Sequence, residues 1–500
     1  WTMGSGASTG VAAAVGSCSA EELRAALSAL PADARDKLQA ALRESGDACV
    51  RIPEELSAGG TLQLSPFDAF NAGRSVPMVW FYSETLDPVA LQSALQRTLV
   101  HYPVFSGRYQ GGSAFPVAVD LNNKGVPLEV CRAPKMTLAE AISHIPITPA
   151  DSSPSFFAMD LHEPFLPVKA GMDPDAVDPD APLMKVKVTI FPAGGTAVGF
   201  LAQHGAVDAD AMITFFNNWS RTFRGLPLDP LPIHERSLVN ELSLGSLPVG
   251  EKPANFKSRA LPPGEKFMPE FVGVMPKIMG KRVVVVPFSK KTLEELTASA
   301  RAALPDGAYI SVDDVLTAYV WQAMVTVRCA QLGLTSESEE ITTCSRACNF
   351  RRRTEPPLPA GYCANGVCQV WTELRVKELL AMAPSAVAQR LRDGIREHTP
   401  ETVAARCQWL LEQQKKGCKT VQVFDKHALT IIISSWVFEW ESASFNATPT
   451  CFDHGALTPV VANFVPRPKG DGLNVYTSGT EDSTEEFARF LGERACAGVK

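Results

Sequence analysis

The sequence contains no run approaching the roughly 18 consecutive apolar residues that a membrane-spanning helix requires, so no span is expected. It has no excess of positive charge. Lys and Arg number 47 against 54 Asp and Glu, a formal net charge of −7. A mildly acidic chain lacks the electrostatic footprint of a nucleic-acid binder, so no nucleic-acid partner is expected. Cysteine is sparse, with 12 in 500 residues. The closest pairs, Cys344–Cys348 and Cys363–Cys368, do not have the two-residue gap of a zinc or redox motif, and no metal is expected. That density is far below a disulfide scaffold; reduced, buried thiols in a cytoplasmic protein are the plainest reading. Residues Trp1–Ser17 carry no charged side chain and lack the basic start of a secretory signal, although an N-terminal Trp suggests a processed or truncated beginning.

What is present is the composition of a folded globular protein. Hydrophobic residues make up 45% and charged residues 20%, which excludes a disordered, collagen-like or coiled-coil chain. A length of 500 residues suggests roughly two to four domains. Residues Ser19–Ser45 read as two short helices, with Ser19 and Glu22 placed as a capping box. From about Leu62, strands and helices alternate. Val79–Tyr82 is a short strand, and Asp87–Tyr102 is a helix with Leu91, Leu95 and Leu99 on one face. Met184, Val186, Val188 and Ile190 alternate with Lys185, Lys187 and Thr189, and Gly194-Gly195 turns the chain, so 185–203 reads as a hairpin. A helix over Ala209–Thr222 follows. Seven prolines between Phe223 and Pro263 break the periodicity and mark a crossover. The alternation then resumes. Val283–Val286 reads as a buried strand, Thr292–Ala303 as a helix, and Ser311 with Asp314 as the cap of another. Ala428–Trp436 and Gly472–Tyr476 are strand-like, and Ser483–Leu491 is a closing helix. The expected architecture is a two-domain α/β protein. Its expected parts are a helical extension at 1–55, one domain at 56–222, a linker at 223–280 and a second domain at 281–500.

The segment Gln203-His204-Gly205-Ala206-Val207-Asp208 stands where a strand ends and a helix begins, a place where rigid scaffolds present reactive groups. Histidine is the side chain best suited to take a proton near neutral pH. Gly205 permits a tight turn, Asp208 can hold the loop or the ring, and Asp210 can cap the following helix. The pattern H-x-x-x-D alone is weak, and by itself it favours a structural histidine. His454, beside Asp453, reads as a loop histidine.

The order of further motifs adds to this. Leu64-Ser65-Pro66-Phe67-Asp68 is similar to LSPLD, and Tyr102 to Arg108 to YPLAGR. Ser311 to Trp321 is similar to S-x-x-D-x-x-x-A-x-x-W. Asn349-Phe350-Arg351-Arg352-Arg353, Pro356-Pro357-Leu358-Pro359 and Tyr362-Cys363-Ala364-Asn365 are similar to N-L-R-x-R, PPLP and YFGN. Ser434-Ser435-Trp436 is similar to T/S-S-W. Over residues 60–490 the chain resembles the BAHD acyltransferases. One motif departs: where the family has DFGWG, the chain has Ser444-Phe445-Asn446-Ala447-Thr448.

The resemblance implies a chloramphenicol-acetyltransferase-like fold of two mixed-sheet domains, with the site in the channel between them. It implies transfer of an acyl group from an acyl-CoA co-substrate to a small-molecule alcohol or amine, with no resident cofactor, by a monomeric cytoplasmic enzyme. His204 would be the general base. Asp208 would face away from the substrate and pair with Arg351. Ser289, Lys290 and Lys291, at a helix start, would bind the acyl-CoA phosphates. Ser434 and Trp436 would line the substrate channel. The region just upstream of Ser434 has Lys419 and Lys426 but no Arg, which counts against an acidic acceptor held there. Two other readings stay open: a carrier-protein-dependent condensation enzyme, and a non-catalytic scaffold that kept the fold.

Overall fold

The computed structural model describes residues 48–110, 116–133, 136–142, 163–167, 177–242, 251–280, 282–454 and 458–497. The helices expected within Ser19–Ser45 lie outside them. In chain order the strands of the two large sheets are β1 (Ala48–Val50), β2 (Ser75–Tyr82), β3 (Val126–Arg132), β4 (Met184–Ile190), β5 (Thr196–Gln203), β6 (Arg282–Phe288), β7 (Ile341–Asn349), β8 (Val367–Arg375), β9 (Thr430–Ser435), β10 (Pro449–His454), β11 (Val461–Pro466) and β12 (Leu473–Gly479). The first sheet has the order β1-β3-β4-β5-β2-β10 and the second β6-β12-β11-β9-β7-β8. Both mix parallel and antiparallel pairs, as the family resemblance implied.

The principal helices are α1 (Pro66–Phe70), α2 (Pro88–Leu99), α3 (Ala209–Phe223), α4 (Lys290–Ala302), α5 (Val312–Leu332), α6 (Pro384–Arg396), α7 (Pro400–Lys415) and α8 (Glu481–Ala497). Their starts follow local chemistry. Asp87 accepts the Val89 N–H ahead of α2. Ser311 and Asp314 close a capping box on α5. The helix after the 185–203 hairpin is capped by Asp208, not by Asp210, because it is the Asp208 carboxylate that accepts the Ala211 N–H at 3.0 Å. Helix α3 then buries Met212, Phe215, Phe216 and Trp219. Phe216 stacks on Trp80 of β2 with centroids 3.6 Å apart, and the Trp219 indole N–H donates to the Leu91 carbonyl of α2.

Two features differ from the sequence reading. The valines Val283–Val286 are only half-buried, because β6 is an edge strand with β12 as its one large-sheet neighbour. The second is β10. It comes from the 281–500 segment but pairs antiparallel with β2 of the first sheet, His454 opposite Met78 and Phe452 opposite Trp80. The chain reaches it through 437–448, which packs on the first domain: Tyr82 Oη donates to the Ala443 carbonyl at 2.7 Å, and Trp80 Nε1 to Trp440. Phe445 is 1% exposed, ringed by Tyr82, Phe216, Trp219 and Phe223 at 5.0–5.9 Å. Asn446 has φ 65°, a left-handed conformation that Asn and Gly tolerate. The departure from DFGWG thus keeps the buried aromatic ring and replaces the central Gly by another residue suited to that backbone.

The proline-rich crossover is likewise tied down. Ile233 bridges to Tyr362, and the short strand Ser258–Leu261 pairs with Lys419–Gln422.

Because Phe445 joins the two sequence halves through a dry aromatic cluster, Phe445→Ala is expected to cost about 3–5 kcal/mol. The urea unfolding midpoint checks this; a loss below about 1 kcal/mol would show that the ring does not hold the strand crossing.

Candidate active site

His204 follows directly on β5. Its N–H donates to the Arg74 carbonyl at 2.7 Å, one step beyond the Ser75–Gln203 register pair of β2 and β5. The loop it begins is short and closely packed. Gly205 is required here for space and not for a left-handed turn: a Cβ would lie 2.6 Å from Tyr109 Oη and 2.8 Å from Ala72 Cα.

Asp208 ends the loop, 2% exposed. Its carboxylate accepts two N–H groups from Arg351, at 2.7 and 2.9 Å, in a fork-to-fork pair. The N–H groups of Ala211 and Gly366 complete its shell at 3.0 and 2.8 Å. Burial alone would raise the Asp208 carboxyl, but the Arg351 charge and these donors hold it below the usual carboxylate range. Arg351 also donates to the carbonyls of Tyr362 and Ala364. Gly366 lets the guanidinium lie flat against the backbone, since a Cβ there would be 2.5 Å from Nη1.

A second buried clamp grips the same loop. Asp68 is fully buried, closes the capping box of α1 with Ser65, and accepts both the backbone and side-chain N–H of Asn365 at 2.9 and 2.7 Å. The Asn365 amide in turn donates to the His204 carbonyl at 2.7 Å. Arg236, from the crossover, lies 3.5 Å from Asp68 and donates to the Ala206 carbonyl. The 204–208 loop is therefore held from the 60s, the crossover and the 350–366 segment together. Asp68 and Asn365 sit in quoted motifs, but their spacing in sequence gives no sign that they meet.

The His204 side chain is half-buried, and its Nδ1 is buried without a hydrogen-bond partner. Burial pushes the imidazole below its ordinary value of 6.5, the Arg74 charge adds to that, and Asp208 pulls upward without cancelling it. The ring is thus neutral, the form that accepts a proton.

His454 corrects the sequence reading. It is the last residue of β10, 5% exposed, not a loop residue. Its ring packs on Trp436 with centroids 3.8 Å apart. Burial pushes it down to about 3; Asp453 opposes this and the nearby His204 adds to it, so it too is neutral. The adjacent Asp453, assigned no orienting role from sequence, accepts the His454 backbone N–H at 2.7 Å and the Tyr476 hydroxyl at 3.0 Å. Only the strand crossing brings this histidine to the His204 side of the sheet. Trp436 is buried, and its indole N–H has no hydrogen-bond partner. Ser434, in β9, is half-buried and in register with Asn463 of β11. Ser289, Lys290 and Lys291 stand apart from this cluster at the start of α4. Ser289 caps the helix, and both lysines are exposed, Lys291 beside Glu295 at 3.7 Å. Among the described residues no group of His, Cys, Asp and Glu could hold a metal ion, and no helix is long and apolar enough to cross a membrane.

A family model described as the Transferase family matches residues 48–482. The chain is 26% identical over 314 residues to stemmadenine O-acetyltransferase of Catharanthus roseus, covering 61% of this chain and 64% of that protein. It is 27% identical over 316 residues to agmatine coumaroyltransferase-1 of Hordeum vulgare, covering 62% and 64%. It therefore spans less than two thirds of the length of either relative. The alignment to tryptamine benzoyltransferase 1 of Oryza sativa subsp. japonica is longer, 23% identical over 451 residues and covering 87% and 93%. The solved structure of vinorine synthase matches with a TM-score of 0.61 at 19% identity, covering 89% of this chain and 96% of that one. The structure of F. sporotrichioides TRI101 complexed with coenzyme A and T-2 matches with a TM-score of 0.64 at 17% identity, covering 85% and 96%. These structures show the fold, and it is the two-domain architecture expected from the motifs.

Breaking the Asp208–Arg351 pair on one side leaves a buried charge unpaired. Arg351→Ala is expected to cost about 3–5 kcal/mol, and Arg351→Lys, which cannot form the fork, to recover only part of it. Denaturant unfolding of the two variants checks this. Equal stability of Arg351→Ala and the parent would show that the pair is not buried in solution.

Proposed function

The chain belongs to the Transferase family, the BAHD acyltransferases, and from that premise we propose that it moves an acyl group from an acyl-CoA thioester to a hydroxyl or amine of a small molecule. The observation that carries this reading is a neutral, half-buried imidazole at the end of β5 on a loop fixed by two buried carboxylate clamps. The names of relatives include both an O-acetyltransferase and amine acyltransferases, so either nucleophile fits.

A thioester carbonyl is already electrophilic, and no covalent enzyme intermediate is needed. What is lacking is a deprotonated acceptor. His204 Nε2 takes the acceptor proton as its oxygen or nitrogen attacks the carbonyl carbon. The carbon–sulfur bond then breaks, and the same nitrogen returns the proton to the departing thiolate of coenzyme A. Such general-base assistance contributes about 10²–10⁴-fold in rate. Asp208 is spent on Arg351 and the helix cap, so its role is to position the loop and not to relay a proton. The developing oxyanion needs a donor. The unpartnered Trp436 N–H, stacked beside His454, supports Trp436 for that task, with Ser434 lining the channel nearby. The anionic co-substrate needs positive charge in a net acidic protein. The exposed Lys290 and Lys291 at the N-terminus of α4, beside the Ser289 cap, support that assignment. The free cysteines among the described residues fit a reducing compartment such as the cytoplasm.

The test is His204→Ala assayed by thiol release from a panel of acyl-CoA donors. The expected loss is about 10²–10⁴-fold in kcat with the fold intact by circular dichroism; unchanged turnover would defeat the assignment. The pH profile is a second check. The free base is the active form and its pKa is lowered, so kcat/KM rises with pH through a midpoint below 6.5 and stays high through neutrality. A midpoint above 6.5 would contradict the desolvated setting described for this ring.

A further inference from the structure

Arg74 stands next to the reacting histidine in space, and its guanidinium has so far entered only through its charge on that ring. Its carbonyl accepts the His204 N–H at 2.7 Å, so the two residues share the open end of the β2–β5 pair. Its guanidinium makes one hydrogen bond, from Nη1 to Asn71 Oδ1 at 3.2 Å, and lies over the Phe70 ring at 5.6 Å. Among the described residues no carboxylate lies within ion-pairing distance of it. The two buried arginines that grip this loop are treated differently, as is Arg346 of the second domain, whereas Arg328 and Arg406 there are buried on backbone carbonyls without a carboxylate among the described residues. Arg351 sits on Asp208 and Asp210, Arg236 on Asp68, and Arg346 on Asp313 and Asp314. Asp68 and Asp208, the two buried carboxylates that clamp the His204 loop, are both taken by other arginines.

Arg74 is half-buried. Desolvation lowers its pKa to about 10, which still leaves it charged at neutral pH. A desolvated cation without a counter-ion is unfavourable, and a guanidinium presents five N–H donors, of which one is used. The unused edge is the shape that binds a carboxylate through two parallel hydrogen bonds. Neither the phosphate-facing lysines of α4 nor the clamps need this charge, and nothing in the proposed reaction consumes it.

We propose that Arg74 binds a carboxylate on the acyl acceptor, so that the acceptor is a hydroxy- or amino-carboxylate whose nucleophile is a short distance from its acid group. This deepens the acyl-transfer reading and rests on His204 being the base, because it is proximity to His204 that places the carboxylate beside the attacking atom. It also supplies a positive charge on the first domain where the 419–426 segment offers only lysines on the second. The same chemistry could come from the other substrate, as a carboxylate at the far end of a dicarboxylic acyl chain, and the experiment separates the two.

The full-length protein is assayed with small hydroxy- and amino-carboxylates, each paired with its own amide, using acetyl-CoA and succinyl-CoA as donors. Binding of each acceptor to coenzyme A-saturated protein is followed in parallel by thermal shift, so that an acceptor that is not turned over still gives a reading. The parent is expected to favour carboxylates over their amides at least tenfold in kcat/KM with acetyl-CoA, the difference lying in KM. In Arg74→Gln that ratio falls to near one, and in Arg74→Lys it recovers in part; taking the ratio within each variant cancels any general damage. The proposal is overturned if the parent binds or uses no carboxylate better than its amide. It is equally overturned if Arg74→Gln lowers both members of each pair alike, or if the Arg74 effect appears only with succinyl-CoA. His204→Ala reports separately on the base: transfer surviving that change defeats the acyl-transfer chemistry whatever Arg74 shows.

Discussion

The site depends on one buried ion pair. Asp208 and Arg351 are 143 residues apart, one closing the loop after β5 and the other following β7. Each is nearly inaccessible, so the pair must be complete to be tolerable: desolvation of either partner alone would outweigh what the fold gains elsewhere. It is complete. The carboxylate has four donors, and the guanidinium adds two backbone carbonyls to its fork. The consequence is geometric. The start of α3, the 362–366 segment and the loop bearing His204 cannot move independently, so the imidazole is held in one position at the end of β5.

The electrostatics of that position follow from what the clamps consume. Asp208 and Asp68 are both satisfied by arginines and amides, and the upward pull of Asp208 on the imidazole does not offset its burial. Arg74, whose guanidinium has no carboxylate partner among the described residues, contributes its charge instead. Burial and that charge together keep His204 neutral, and a second neutral ring, His454, lies close by against Trp436. The result is a cation-flanked pair of neutral imidazoles. Such a setting suits removal of a proton from an incoming nucleophile and favours a substrate that brings negative charge with it.

Much of this was legible in the sequence where a local rule applied. The 185–203 hairpin and the Ser311/Asp314 capping box depend on neighbours a few residues away, and the structure has them. His204, Asp208 and Arg351 were legible as members of an ordered motif set, including the pairing of the last two. What escaped depends on long-range topology. Nothing near Pro449–His454 signals that this strand will cross to the first sheet, and His454 was taken for a loop residue for that reason. Val283–Val286 have the composition of a buried strand, but an edge position leaves them half-covered. Gly205 was read as a turn glycine, whereas the constraint is the approach of Tyr109 and Ala72 from other segments. Arg74 has no motif around it; its meaning comes only from which carboxylates the fold assigns to other arginines.

The central claim is that the clamped loop aims His204 at the thioester sulfur. The most direct measurement is a crystal structure of the protein with coenzyme A bound, reading the distance from His204 Nε2 to the thiol. The account predicts a separation of about 3–3.5 Å, or one bridging water, with the Asp208–Arg351 fork intact behind it. A thiol lying beyond the reach of a single water, or a His204 ring sealed off from the channel that holds the coenzyme A arm, would contradict it.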